Sequence, residues 1–230
     1  MDSAKAWDEV SAKFNTYKKK AYAGAMDNVL TVWPVFLQYI KKHIKNTKGA
    51  RALEYGCGTG MFCGQLIKMG FEAAGVDVSA KMIKVAKHHL GKKVQFFVGD
   101  EKKVLSDIRL KGKFDLICGI MVFQFVPNVK NCFKTLSQSM EKNGQIIFAV
   151  HDPKILKVRN IKKNFRAGGS GQQVPIYIRD AKAYDKIFKN LGFKKRLESH
   201  LDYNPKFLKQ YGSRLKKKVP KYLILAYQKT

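Results

Sequence analysis

The chain has 230 residues, with 45 Lys or Arg against 17 Asp or Glu, a formal charge of +28 at pH 7. Hydrophobic residues at 45% and aromatics at 12% exclude a disordered polyelectrolyte, and the length suffices to bury a core without disulfide or metal staples. Eighteen glycines and six prolines exclude collagen-like and low-complexity sequence.

Residues 1–45 read as helical. Val29, Trp33, Phe36, Leu37, Ile40 and Ile44 recur at three- and four-residue steps, and Pro34 suits a first turn or a kink. The longest apolar run, Val29–Ile40, has twelve residues, short of the roughly twenty that span a bilayer. Met1–Trp7 has no apolar stretch before a cleavage site, so no secretory signal is expected.

A βα alternation follows. Ala50–Tyr55 reads as a strand entering Gly56-Cys57-Gly58-Thr59-Gly60, and Met61–Met69 as a helix. Phe71–Val78 is a strand ending near Asp77, and Ser79 caps a helix over Ala80–Leu90. Strands Val94–Val98, Phe114–Ile120 and Gln145–Val150 continue the series, with a helix over Val129–Met140. Runs such as FDLICGI and QIIFAV suit a parallel sheet covered on both faces.

After Val150 the rhythm breaks. Residues 151–178 form a basic insertion, and Gly168-Gly169-Ser170-Gly171 suits a mobile lid. Asp180 caps a helix over Ala181–Leu191, and Lys194–His200 and Tyr222–Gln228 read as closing strands. The expectation is one α/β domain over residues 1–230: a doubly wound, seven-stranded, mostly parallel sheet with an antiparallel edge. Within it lie a helical lid (1–45), a ligand-binding core (48–150), the basic lid (151–178) and a closing segment (179–230).

The turn Glu54-Tyr55-Gly56-Cys57-Gly58-Thr59-Gly60 carries the sharpest signal. Glycines there let backbone approach a ligand at a helix N-terminus. A dinucleotide fingerprint needs G-x-G-x-x-G, but the sixth position from Gly56 is Met61. An acidic residue before the turn, and Asp77 at the next strand end to accept from ribose hydroxyls, favour a nucleoside with an amino-acid tail.

These residues resemble the class I S-adenosylmethionine-dependent methyltransferases. Residues 54–60 are similar to their first motif, Val76-Asp77-Val78-Ser79 to the second, Val98-Gly99-Asp100 to the third and Phe114-Asp115-Leu116-Ile117 to the fourth. The resemblance implies a Rossmann-like methyltransferase fold with S-adenosylmethionine as cofactor and S-adenosylhomocysteine as product. It implies that Gly56, Gly58 and Gly60 shape the turn, with Tyr55 and Cys57 beside it. Glu54 orients the ammonium, Asp77 holds the ribose, Val78 and Met82 pack on adenine, and Gly99, Asp100 and Glu101 read its edge. Gly119 and Ile120 line the floor near the sulfur. Val122–Asn128 is similar to the same segment of trans-aconitate and malonyl-carrier methyltransferases, which implies a small acid as acceptor, a carboxylate among the candidates, with Gln124 near it. Phe14, Tyr17 and Tyr22 are the lid candidates.

An ionised carboxylate needs no base, whereas a hydroxyl or protonated amine does. His151, directly after the fifth strand, is the candidate base, with a surface or capping role as the alternative. No metal is expected: His88 and His89 are adjacent and do not share a helix face. None of Cys57, Cys63, Cys118 and Cys132 follows a proline or forms C-x-x-C. That argues against cytosine C5 chemistry and for free thiols in the cytoplasm.

The charge is uneven: residues 151–230 hold 21 basic and five acidic residues. Lys154–Arg166 and Arg214–Lys221 are a solvated face, a phosphate-binding surface, or a rim steering a small acid inward. The functional expectation is therefore methyl transfer to a small molecule. Methylation of RNA or of a docked protein, and a non-catalytic binding role, are the alternatives, and nothing in the sequence fixes an oligomeric state.

Overall fold

The computed structural model describes residues 3–14, 23–107, 110, 113–166, 172–211 and 219–230. Strands β1 (Arg51–Tyr55), β2 (Glu72–Asp77), β3 (Gln95–Val98), β4 (Phe114–Ile120) and β5 (Met140–His151) form the parallel part of a seven-stranded sheet. A small hairpin, β6 (Asn164–Arg166) and β7 (Gln173–Pro175), lies apart from it. The closing strands are β8 (Phe193–Leu201) and β9 (Tyr222–Lys229), and the sheet order is β3-β2-β1-β4-β5-β9-β8. The last strand in sequence thus enters between β5 and β8, antiparallel to both, so β9 alone runs against the rest. This is the expected doubly wound sheet, with the reversed strand one place in from the edge.

Alternation along the strands builds two cores. Ile146, Phe148 and Val150 of β5 face one layer, with Leu223, Leu225 and Tyr227 of β9. Ile147 and Ala149 face the other, with Ile224 and Ala226. Helices α7 (Val129–Gln138) and α9 (Ala181–Asn190) cover the first face, with Phe133, Tyr184 and Phe188 buried. Helices α3 (Trp33–His43), α4 (Met61–Lys68) and α5 (Ala80–Leu90) cover the second with Phe36, Ile40, Leu66 and Ile83. Asp180 and Ser79 cap their helices as expected, accepting from Ala183 N and Met82 N.

The N-terminal segment is only partly a roof. Helices α1 (Ser3–Val10) and α2 (Ala23–Asp27) precede a π-helical turn over Asn28–Val32, and Pro34 follows in the first turn of α3. The helical path runs unbroken through it, and Asn204 Nδ2 donates at 2.9 Å to Leu30 O, the carbonyl that an N–H at position 34 would otherwise meet. The α3 stripe, Phe36, Tyr39 and Ile40, is buried against the sheet, so α3 belongs to a flanking layer. Four short elements had no clear sequence signal: the π turn, α6 (Glu101–Ser106), α8 (Pro153–Val158) and α10 (Pro205–Tyr211). Tyr17, Tyr22, Gly168–Gly171 and residues 214–218 of the basic run lie outside the described residues.

One buried ion pair ties the chain's ends together. Asp27, fully buried, accepts from Lys221 Nζ, from the Tyr222 hydroxyl at 2.8 Å and from the Thr31 hydroxyl at 2.8 Å. Burial pulls the Lys221 pKa below its usual range, against the pull of Asp27. Removing one member of such a pair leaves the other charge buried alone, at a cost of about 3–5 kcal/mol. Asp27→Ala should therefore lower the denaturant-unfolding free energy by that amount; a loss of under about 1 kcal/mol would show that the pair is not holding the ends.

Candidate active site

The glycine turn after β1 is fixed by its neighbours on β2. Gly56 N and Cys57 N donate to Val76 O at 2.7 and 3.0 Å. Gly58 N donates to Asp77 Oδ2 at 2.8 Å, and Ser79 N to Asp77 Oδ1 at 2.9 Å. One carboxylate thus ties the turn to the start of α5. Gly58 sits at φ +51, and a Cβ there would meet nothing within 4 Å; its open side faces a cavity.

That cavity has a volume of about 530 Å³ and lies outside the carboxyl ends of the parallel strands, where α/β sheets bind ligands. Its charges segregate. The lining carboxylates are Glu54, Asp77, Asp100 and Glu101, at or just after the ends of β1, β2 and β3. The lining cations among the described residues, Arg159 and Lys221, lie beside His151 and Tyr222 at the end of β5 and the start of β9.

At the acidic end, Glu54 is 3% exposed and accepts from the Cys63 thiol at 3.0 Å. Burial pushes its pKa up to about 8, with Asp77 adding to the rise. Asp77 is raised too, mainly by burial. Asp100 caps α6, accepting from Lys102 N at 3.0 Å, and the Tyr55 hydroxyl donates to Glu101 Oε2 at 2.8 Å. Val78, Met82 and Gly99 complete this end. Burial pushes the Cys57 thiol up to about 11 and Cys63 further, so neither is a thiolate at neutral pH.

Helix α1 and Phe14 lie against the turn and the start of α5. Asp8 of α1 accepts from Ser79 Oγ at 2.6 Å and Lys81 N at 3.0 Å, at the start of α5. Thr59 Oγ1 donates to Phe14 O at 3.2 Å. Trp7 packs edge-on to Phe14 and Phe125, with centroids 6.0 and 5.2 Å away, and all three rings line the cavity.

At the basic end, His151 is 8% exposed and its ring lies 5.0 Å from that of Phe165. Burial, with Lys221 and Arg159 nearby, pushes its pKa down to about 3, so it is neutral at physiological pH. The Gln124 amide nitrogen is 3.1 Å from Met121 O and 3.4 Å from His151 Nδ1. Only a donor can face that carbonyl, so the amide meets Nδ1 as a donor and the ring proton resides on Nε2.

Of the residues singled out from sequence, Glu54, Tyr55, Gly56, Cys57, Gly58, Asp77, Val78, Met82, Gly99, Asp100, Glu101, Ile120, Gln124, His151 and Phe14 line the cavity. Gly60 and Gly119 do not. A Cβ on Gly60 would come within 2.7 Å of Phe96 and one on Gly119 within 2.6 Å of Phe123, so these glycines admit packed rings beneath the site. Sequence reasoning did not single out Arg159, Phe165, Lys221 and Tyr222 individually. Arg159, Phe165 and Lys221 fall within the two basic runs, of which the inward-steering rim was one reading.

A family described as methyltransferase domain matches residues 19–198, and the chain belongs to it. It is 28% identical over 148 residues to a ubiquinone biosynthesis O-methyltransferase of Coxiella burnetii, covering 63% of this chain and 57% of that protein. The chain therefore spans just over half the length of that curated relative. The fold is similar to an S-adenosylmethionine-dependent methyltransferase from Mesorhizobium loti, with TM-score 0.66 and 17% identity over 86% of this chain and 97% of the other. It is equally similar to magnesium protoporphyrin IX methyltransferase from Synechocystis with bound SAH, with TM-score 0.66 and 15% identity over 96% and 99% of the two chains. Its fold is that of the class I methyltransferases.

The raised Glu54 pKa has a thermodynamic consequence. Folded protein holds a proton there that the unfolded chain releases above its ordinary value of 4.5. Stability of the ligand-free protein should therefore fall as pH rises from about 6.5 to 8; below that range the charging of His151 in the unfolded chain offsets the Glu54 effect. Glu54→Gln should flatten that slope in thermal melts taken across the range; an unchanged slope would mean Glu54 is ionised in the fold.

Proposed function

We propose that the protein transfers a methyl group from S-adenosylmethionine to a small acid, with an ionised carboxylate oxygen as the acceptor. The observation that carries the cofactor half is the group of carboxylates beside the Gly58 amide, with Glu54 buried, Asp77 half-buried, and both raised in pKa by lost hydration. A ligand bearing an ammonium, a sulfonium and ribose hydroxyls supplies the cations and donors that such a group lacks. Glu54 suits the ammonium, Asp77 the ribose, and Asp100 and Glu101 the base, with Val78 and Met82 as its apolar walls. The four motifs in sequence order and the family membership support the same reading.

When bound, the cofactor supplies an electrophilic methyl on positive sulfur: the acceptor oxygen forms the new O–C bond, the S–C bond breaks, and its electron pair stays on sulfur. The chain's own contribution is alignment and exclusion of water. Trp7, Phe14 and Phe125 roof the cavity. Arg159 favours an acceptor that arrives as an anion, while the Lys221 charge is matched by Asp27. Burial, with Lys221 and Arg159 adding to it, keeps His151 from accepting a proton, which supports an ionised acid over a neutral hydroxyl. His151 is then an orienting donor through Nε2 and no longer the expected base. The relatives' printed names, a ubiquinone-pathway O-methyltransferase and a porphyrin methyltransferase, support a small-molecule acceptor.

Calorimetry with S-adenosylhomocysteine tests the cofactor half. Binding is expected, and Asp77→Ala should weaken it about 10- to 100-fold through loss of charge-assisted hydrogen bonds. No heat and no thermal shift at millimolar ligand would overturn the reading.

A further inference from the structure

Helix α1 joins neither of the two large cores. Its buried residues Ala6 and Val10 pack with Val174 of β7 in a small separate cluster, beside Trp7, Phe14, Phe125 and Phe165. A second attachment is polar. Asp8 is half-buried, and its Oδ1 accepts from Ser79 Oγ at 2.6 Å and from Lys81 N at 3.0 Å. Helix α1 thus bridges α5 and β7, with Trp7 on the cavity wall.

Ser79 is shared between this attachment and Asp77. Its Oγ donates to Asp8 and accepts from Met82 N at 3.1 Å, while its N–H donates to Asp77 Oδ1 at 2.9 Å. Seating α1 therefore sets a second carboxylate on the residue that Asp77 also holds. Against the upward pull of burial, the Ser79 and Lys81 contacts hold the Asp8 pKa below its usual range, so Asp8 is charged at neutral pH. Burial raises the Asp77 pKa, and the Asp8 charge adds to the rise: the two carboxylates repel. A ligand whose hydroxyls donate to Asp77 offsets its charge and reduces that repulsion. Such coupling is reciprocal, so a ligand that favours the seated helix is itself held more tightly by it.

We propose that Asp8 is a positioning residue that seats α1 across the cofactor end of the cavity, that ligand hydroxyls on Asp77 tighten this seat, and that release of S-adenosylhomocysteine waits on the breaking of the Asp8–Ser79 contact. The inference rests on the reading above in taking Asp77 as the ribose partner. Asp8 touches no ligand atom in this scheme; it acts through Ser79 and the helix that carries Trp7. Product release gated by such a segment is a step that can limit turnover.

The test has two arms on the full chain. The first is the rate at which labelled S-adenosylhomocysteine leaves on dilution into excess unlabelled ligand. Asp8→Ala should speed release about fivefold or more. Asp8→Asn keeps an acceptor for both donors without the charge, and should release within about twofold of the wild-type rate. The second arm is amide hydrogen exchange of the wild-type chain. Ligand should slow the α1 amides about tenfold more than those of α9, on the other face of the sheet. This arm needs no variant, so a misfolded Asp8→Ala does not spare the proposal. Unchanged release from folded Asp8→Ala, release from Asp8→Asn as fast as from Asp8→Ala, or α1 amides slowed no more than those of α9 overturns it. Failure of S-adenosylhomocysteine to bind overturns the cofactor reading and this inference together, whereas tight binding with α1 unresponsive overturns this inference alone.

Discussion

The site is organised by the hydrogen bond from the Gly58 amide to the Asp77 carboxylate, 2.8 Å long. It joins the first parallel strand to the second at the point where both chains leave the sheet. The second Asp77 oxygen takes the Ser79 amide, and Ser79 in turn caps α5 and meets the lid through Asp8. Turn, helix and lid are thus tied to one side chain. The carboxylate does this half-buried, at an electrostatic cost that raises its own pKa. A ligand whose donors satisfy Asp77 would relieve part of that cost, so the groups that build the site also drive binding.

The second organising feature is the separation of charge along one cavity. Acids cluster over β1–β3, and cations lie over β5 and β9. In a cavity walled by rings the fields of these groups are little screened, so a cationic and an anionic ligand placed side by side would each find the matching end. Lys221 belongs to this arrangement through a structural contact, its pairing with Asp27. The ion pair that holds the chain's ends together thus also places a lysine in the cavity wall.

The acidic end of the site was legible because its signals are local. A strand end, a glycine turn and an aspartate seventeen residues past Gly60 follow from the geometry of one βαβ unit, and the helix caps at Ser79 and Asp180 follow from a single residue each. Spacing alone could not say which glycines face the cavity. Gly58 opens onto it, while Gly60 and Gly119 yield to Phe96 and Phe123, contacts made across the sheet's layers. The basic end was legible only as composition. Arg159 and Lys221 are far apart in sequence, and Lys221 reaches the cavity because β9 enters beside β5 with Tyr222 opposite His151. His151 lies at the strand end as expected, but its depressed basicity depends first on burial and then on Lys221, distant in sequence, and on Arg159, which no short motif encodes.

The most direct measurement is a crystal structure of the protein with S-adenosylhomocysteine. The account predicts ribose hydroxyls within hydrogen-bond distance of Asp77, the amino-acid tail beside Glu54 and the Gly58 amide, and the sulfur directed toward the end that holds Gln124 and His151. Ligand density over β5 and β9 with the Asp77 carboxylate untouched, or an empty cavity in crystals grown at saturating ligand, would contradict it.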